Sequence, residues 1–214
     1  VLLNGLIQIS SDKGYSSFWK RQEDAVGNVI RDESHFINIV ADGVGGCDDG
    51  ALGSKILVQG LKEWYQSLSD DLIDDIDSLS NMLEKEVLTI HQELLEKYNG
   101  KAQTTVVIAL TSGEKTIIAN VGDSTAYAYD DKQDQLIVLS TLDSESQGLG
   151  YDEARYNPDN NKLTAAIGLN YDTLHIQIID NLGQISESLG YNDSSIYISV
   201  ISIWNFLGRI GGGY

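Results

Sequence analysis

Apolar residues recur at helical spacing in two stretches of the chain. In the stretch 50–68, Leu57, Leu61 and Trp64 fall on one side of a helix. In the stretch from about 71 to 98, an apolar stripe runs opposite a face rich in acidic residues, and Asn99-Gly100 follows as a stop signal. The pattern predicts two helices, one over 50–68 and one continuous over 71–98.

Shorter apolar and β-branched runs predict strands in the rest of the chain. The run 35–41 leads directly into the glycine-rich sequence 42–46, which is typical of a strand that ends in a turn. The other predicted strands are 6–9, 104–110, 115–121, 125–129, 135–139, 174–179 and 195–204. Short turn sequences separate the four strands between 104 and 139, so we predict that these four form an antiparallel meander. Helices placed between runs of strands indicate an α+β fold with helices packed on sheet faces.

The charge of the chain limits the kinds of partner that we expect it to bind. The 214 residues include 32 Asp+Glu against 14 Lys+Arg, a net charge of −18, and Lys20-Arg21 is the only basic pair. Because such a field repels nucleic acids and anionic membranes, we expect neither as a partner. With one cysteine, no signal-peptide pattern and no apolar run long enough to span a bilayer, we expect a cytoplasmic protein. We expect a single domain, 1–207, a flexible tail, 208–214, and a monomer.

Acidic residues stand where predicted strands begin or end. Asp42 follows the strand 35–41, and Asp123 lies in the turn between two strands. The others at such positions are Glu23, Asp24, Asp180 and Asp193. Each of these residues alone is also typical of a turn. Together, carboxylates with no histidine or cysteine nearby form a hard-oxygen set that suits Mg²⁺ or Mn²⁺ better than Zn²⁺.

Several segments, in chain order, resemble the motifs of the metal-dependent Ser/Thr protein phosphatases of type 2C. The strand-end motif Asp42-Gly43-Val44-Gly45-Gly46 and the stretch Asn120-Val121-Gly122-Asp123-Ser124 carry the closest resemblance. The other similar segments are 22–25, 104–105, 139–144 and 161–168. The resemblance implies a layered sandwich of two mainly antiparallel β-sheets flanked by helices. It also implies hydrolysis of phosphoserine and phosphothreonine in proteins, in opposition to a Ser/Thr kinase.

The same resemblance assigns roles to residues. Asp42 would bridge two metal ions, Mg²⁺ or Mn²⁺, with Glu23 and the Gly43 carbonyl completing the protein ligands of one. Asp180 and Asp193 would hold the other ion, and Asp123 with Asp180 a weak third. Asp24 would orient water from outside the ligand shell. Two such ions would activate a shared water for attack on the phosphate.

Three departures from the motifs leave alternatives open. Trp19 stands where the family has its phosphate-binding arginine, so Arg21 is the candidate for that role. Asn181 replaces a glycine, and the segment between Asp180 and Asp193 is short. We predict that strands 174–179 and 195–203 pair as a hairpin-like unit that brings both carboxylates to one ion. The alternatives are a pseudophosphatase that binds or regulates phosphoproteins with little catalysis, and a phosphatase acting on small phosphoesters.

Overall fold

The computed structural model describes residues 22–45, 49–130, 134–145, 162–169, 174–180 and 196–201. For 129, 130, 135, 136, 177, 179, 180 and 196–201 it describes the backbone only. The helices are α1 (Gly50–Ser67), α2 (Asp70–Ile73) and α3 (Ile76–Tyr98). The strands are β1 (Ala25–Ile30), β2 (His35–Ala41), β3 (Val106–Ser112), β4 (Lys115–Val121), β5 (Thr125–Asp130), β6 (Gln135–Val138), β7 (His175–Asp180) and β8 (Ile196–Ile201). The predicted strand 6–9 and tail 208–214 lie outside the described residues.

The second predicted helix is wrong as a single element, because the chain breaks at Asp74 and Asp75 into α2 and α3. Asp75 has an extended backbone and its side chain accepts a hydrogen bond from the Ser78 amide, at 3.2 Å. An aspartate in that position satisfies an otherwise unpaired N–H of the first turn and starts a new helix. The C-terminal stop is confirmed, since Asn99 adopts the left-handed conformation directly after α3.

The described strands form two antiparallel sheets, one of five strands in the order β1-β2-β3-β4-β7 and one of three in the order β6-β5-β8. The predicted four-stranded meander is therefore wrong at its centre. β4 belongs to the larger sheet and β5 to the smaller one, and residues 122–124 carry the chain across. The predicted pairing of 174–179 with 195–203 is also wrong, since β7 lies beside β4 and β8 beside β5.

The layers explain why the central strands are apolar at nearly every position. One face of the larger sheet packs on α1 and α3 through residues such as Ile39, Leu57 and Leu83. The opposite face contributes Val107, Ala109 and Ile118 to a second cluster, which also includes residues of the smaller sheet. A strand buried on both faces loses the alternation of polar and apolar residues that a half-exposed strand shows. The expected α+β sandwich of two sheets with helices is confirmed.

Strand register defines two ends of the larger sheet. At one end, here called the Asp42 end, β2 and β4 finish while β3 and β7 begin; Val106 pairs with Val121, and Asn120 with His175. At the other, here called the far end, lie His35, Ser112, Lys115 and Asp180. Because a strand rises about 3.3 Å per residue, the length of β2 separates the two ends by about 20 Å.

Candidate functional site

The backbone of Asp42 is fixed by the two residues that precede β3. Its carbonyl accepts hydrogen bonds from the Thr105 amide at 2.8 Å and from Thr104 Oγ1 at 2.9 Å. Its amide donates to Thr105 Oγ1 at 3.3 Å. Since both peptide groups of Asp42 are bound, its carboxylate is presented from a rigid position at the strand end.

Glu23 is tied to the residue that follows Asp42. The Glu23 carbonyl accepts hydrogen bonds from the Gly43 amide at 3.1 Å and from Ser54 Oγ at 2.5 Å. Ser54 is a buried residue of α1, so one hydroxyl joins the helix to the segment that precedes β1. The fold thereby brings Glu23, Asp42 and Gly43 together at the Asp42 end. Next to Glu23, Asp24 accepts a hydrogen bond at Oδ2 from Gln22 Nε2, at 3.0 Å.

Glycine is required at two positions, Gly43 and Gly50, where the start of α1 packs against the turn after Asp42. A Cβ on Gly43 would lie 2.5 Å from the carbonyl carbon and oxygen of Gly50 and 2.6 Å from the Glu23 carbonyl oxygen. A Cβ on Gly50 would lie 2.8 Å from the Val44 carbonyl oxygen. The first turn of α1 therefore packs directly on the backbone of Gly43 and Val44, so the partial positive charge of the helix N-terminus lies next to the turn that follows Asp42.

Asp123 lies at the same end, in the crossover between the two sheets. Gly122 has φ +98°, and a Cβ there would lie 2.6 Å from Thr105 Cγ2. Ser124 Oγ shares a 2.6 Å hydrogen bond with Thr105 Oγ1, the atom that also binds the Asp42 amide. Burial raises the pKa of Asp123 above its ordinary value, and a cation bound nearby would oppose this shift by favouring the ionised carboxylate.

The structure separates Asp180 from this group. Asp180 pairs with Lys115 at the far end, where its backbone lies about a strand's length from Asp42. The predicted sharing of ions between Asp42 and Asp180 is therefore not supported by the strand register. Arg21 and Asp193 lie outside the described residues. Within the described ranges, no three His, Cys, Asp or Glu side chains are already gathered as a metal cluster.

Two residues without an assigned role join the site to its surroundings. Asp143 accepts a hydrogen bond at Oδ2 from the Gly122 amide, at 2.9 Å, and its Oδ1 lies 2.7 Å from His175 Nε2. Asp143 falls in one of the segments that carry the family resemblance, but His175 looks like an ordinary strand-start residue. No sequence pattern identifies their pairing, because it depends on β7 lying beside β4.

His91 has a structural role. His91 is a buried residue of α3, and its Nδ1 accepts a hydrogen bond from the Gly168 amide at 3.0 Å. Desolvation lowers the pKa of His91, which favours the neutral ring that this hydrogen bond needs.

No described helix is long and apolar enough to cross a membrane.

Residues 20–148, more than half of the chain, match the profile of the family described as protein phosphatase 2C. The serine/threonine phosphatase stp of Listeria innocua is 30% identical over 155 residues, which cover 69% of this chain and 61% of that protein. Protein phosphatase 1L of Bos taurus is 35% identical over 88 residues, 40% of this chain and 24% of that protein. The chain thus spans about three fifths of the length of the Listeria relative.

Solved structures resemble this fold over a larger share of the chain than the sequence relatives cover. A crystal structure of a bacterial serine phosphatase superposes with a TM-score of 0.69 at 26% identity, covering 80% of this chain and 71% of that one. The serine/threonine phosphatase Stp1 of Staphylococcus aureus gives a TM-score of 0.67 at 24% identity, covering 77% and 68%. The second likeness concerns the fold alone.

Proposed function

The chain belongs to the protein phosphatase 2C family, and from this we propose that it hydrolyses phosphoserine and phosphothreonine in proteins with Mg²⁺ or Mn²⁺ bound at the Asp42 end. The observation that carries the proposal is the joining of Glu23, Asp42 and Gly43 by hydrogen bonds that Ser54 of α1 and the residues just before β3, Thr104 and Thr105, complete. Its substrates would be phosphoproteins modified by a Ser/Thr kinase in the cytoplasm.

The donors at this end fit one hard cation. The Asp42 and Glu23 carboxylates and the Gly43 carbonyl would hold the ion, an all-oxygen set of the type that Mg²⁺ and Mn²⁺ prefer. Asp123, partly buried at the same end, would be a further ligand. When bound, such ions supply water of lowered pKa and offset the charge of a phosphate monoester.

The chain's own residues perform the positioning. The Thr105 hydroxyl and amide hold the Asp42 backbone, and the Ser54 hydroxyl holds the Glu23 carbonyl, so the backbone that carries each carboxylate is fixed before an ion binds. Asp24, adjacent to Glu23, would orient water by accepting a hydrogen bond. Arg21 remains the proposed phosphate-binding group, because its planar guanidinium suits bidentate contact with phosphate oxygens.

The position of Asp180 favours a second candidate function. With Asp180 at the far end, the described residues would supply ligands for one ion, and a second ion would depend on residues outside the described ranges. A chain that binds one ion without assembling two would act as a pseudophosphatase, which binds or regulates phosphoproteins. Both functions predict metal binding at Asp42, and only one predicts turnover.

Turnover of p-nitrophenyl phosphate and of a phosphothreonine peptide, with and without Mn²⁺, tests the proposal. We expect Mn²⁺-dependent hydrolysis that Asp42→Asn lowers about 100-fold or more, because outer contacts alone contribute 10- to 100-fold at metal sites. Native protein that binds Mn²⁺ and phosphopeptide without turnover would establish the pseudophosphatase instead. Turnover that survives Asp42→Asn would exclude the site.

Asp180→Asn is the matched carboxylate control. The strand register predicts that this variant keeps Mn²⁺ affinity and turnover within about twofold of the native values, as expected for a substitution away from the site. Loss of turnover comparable to that of Asp42→Asn, in a variant with native stability, would show that the register of β7 is wrong.

A further inference from the structure

Asp143 links three parts of the fold through four hydrogen bonds. Its amide donates to the Gly122 carbonyl at 2.9 Å, and its Oδ2 accepts from the Gly122 amide at 2.9 Å. Its carbonyl accepts from the Thr164 amide at 2.9 Å, and its Oδ1 lies 2.7 Å from His175 Nε2. The Asp143 side chain is 13% exposed, so the pair with His175 is shielded from most of the solvent.

His175 determines how the Asp143 carboxylate is oriented. An ionised carboxylate only accepts hydrogen bonds, so a hydrogen bond between the ionised Asp143 Oδ1 and His175 Nε2 requires the proton to be on Nε2. This leaves Oδ2 directed at the Gly122 amide. His175 is the first residue of β7 and pairs in register with Asn120, so the larger sheet fixes the position of the imidazole.

Gly122 transmits this arrangement to the proposed metal site. Its left-handed backbone, at φ +98°, turns the chain out of β4 immediately before Asp123. Two residues after Gly122, the Ser124 hydroxyl binds Thr105 Oγ1, which binds the Asp42 amide. The crossover 122–124 is thus held from one side by Asp143 and from the other by the residue that fixes Asp42.

We propose that the Asp143–His175 pair is a positioning pair that sets the crossover 122–124 against Asp42. It controls where the Asp123 carboxylate stands at the Asp42 end, and neither partner touches substrate. The effect on turnover rests on the proposed phosphatase function; the effect on the Gly122 amide does not. Its loss should therefore alter a local structural signal and ion binding as well as activity.

The experiment compares His175→Leu, which removes the donor, with His175→Gln, whose amide nitrogen restores one. His35→Leu is the matched control, because His35 also begins a strand and its Nδ1 lies 2.9 Å from Asp32, but at the far end. The readouts are hydrogen exchange of the Gly122 amide by NMR, Mn²⁺ affinity by calorimetry, and Mn²⁺-dependent turnover of p-nitrophenyl phosphate.

We expect His175→Leu to speed exchange of the Gly122 amide about tenfold, the equivalent of one charge-assisted hydrogen bond. We expect Mn²⁺ affinity or turnover to fall about 10- to 100-fold, as for other residues that orient metal ligands. His175→Gln should recover most of each effect, and His35→Leu should show none. If His175→Leu matches His35→Leu in Gly122 exchange and Mn²⁺ affinity, the proposal is overturned. If those two signals respond as expected but native protein has no turnover, the positioning role stands and the phosphatase function fails.

Discussion

Gly43→Ala is the substitution that most directly tests how the site is built. The added Cβ would lie 2.5 Å from the carbonyl carbon and oxygen of Gly50 and 2.6 Å from the carbonyl oxygen of Glu23. Favourable contacts between carbon atoms begin at about 3.5 Å, so the methyl group is about 1 Å too close to each. All three atoms belong to the backbone, and none can move away by rotating a side chain.

The cost follows from what must shift. Relief requires the first turn of α1 or the segment around Glu23 to move, which strains the 3.1 Å bond from the Gly43 amide and the 2.5 Å bond from Ser54 to the Glu23 carbonyl. Overpacking costs about 1–3 kcal/mol and each lost hydrogen bond about 1 kcal/mol. We expect the free energy of unfolding to fall by about 2–4 kcal/mol, and the melting temperature by about 4–16 °C for a chain of this size.

Gly60→Ala, in the middle of α1, is the matched control. Its Cβ would lie 2.9 Å from Ile90 Cδ1, the end of a side chain that can rotate, and alanine gains up to about 1 kcal/mol of helix propensity over glycine. We expect its free energy of unfolding to stay within about 1 kcal/mol of the native value, with unchanged Mn²⁺ affinity. Urea denaturation and calorimetric Mn²⁺ titration measure both quantities for both variants. Equal stability and equal Mn²⁺ affinity of the two variants would refute the packing of α1 against the Asp42–Gly43 turn.

Two further predictions concern residues outside the proposed site. Arg31 donates hydrogen bonds to the carbonyls of Tyr65 at 2.7 Å and Leu68 at 2.5 Å, at the end of α1. We therefore expect Arg31→Leu to lower the free energy of unfolding in urea by about 2 kcal/mol and to leave turnover unchanged. An unaltered midpoint of urea unfolding would contradict this. Burial lowers the pKa of His91, so the neutral ring that accepts from Gly168 gives stability that is complete above the ordinary pKa of 6.5 and is lost as pH falls. His91→Gln should therefore lose less free energy of unfolding than the native protein when the pH falls from 7.5 to 5. If the free energy of unfolding depends on pH in the same way in both proteins, this would count against a buried neutral histidine.

The part of the proposed site around Asp42 can be predicted from the sequence, because its geometry is set by residues close to Asp42 in the chain. The strand 35–41 and the glycines after it predict a turn that presents Asp42, and the structure places Asp42 there. The helix over 50–68 is predicted by its apolar spacing and is observed as Gly50–Ser67. The roles of Glu23 and Asp42 as ligands remain predictions that the Mn²⁺ experiments address.

Strand partners are the part that sequence did not determine. Alternation of apolar residues shows which face of a strand is buried, but a buried face can be covered by either sheet or by a helix. For this reason the pattern predicted a continuous meander through Gly122, whereas the chain leaves the larger sheet there and enters the smaller one. The same ambiguity led to the prediction that 174–179 pairs with 195–203, whereas β7 lies beside β4 and β8 beside β5.

By itself the sequence determined the family resemblance, the helix α1, most strands and the turn that carries Asp42, all of which depend on residues close in the chain. Only the tertiary structure decided which carboxylates share an end of the sheet. It put Asp180 opposite Lys115 and brought His175 within 2.7 Å of Asp143. The physical reason is that register and strand order are set by packing between distant segments, and short-range patterns of hydrophobicity do not encode which segment becomes the neighbour.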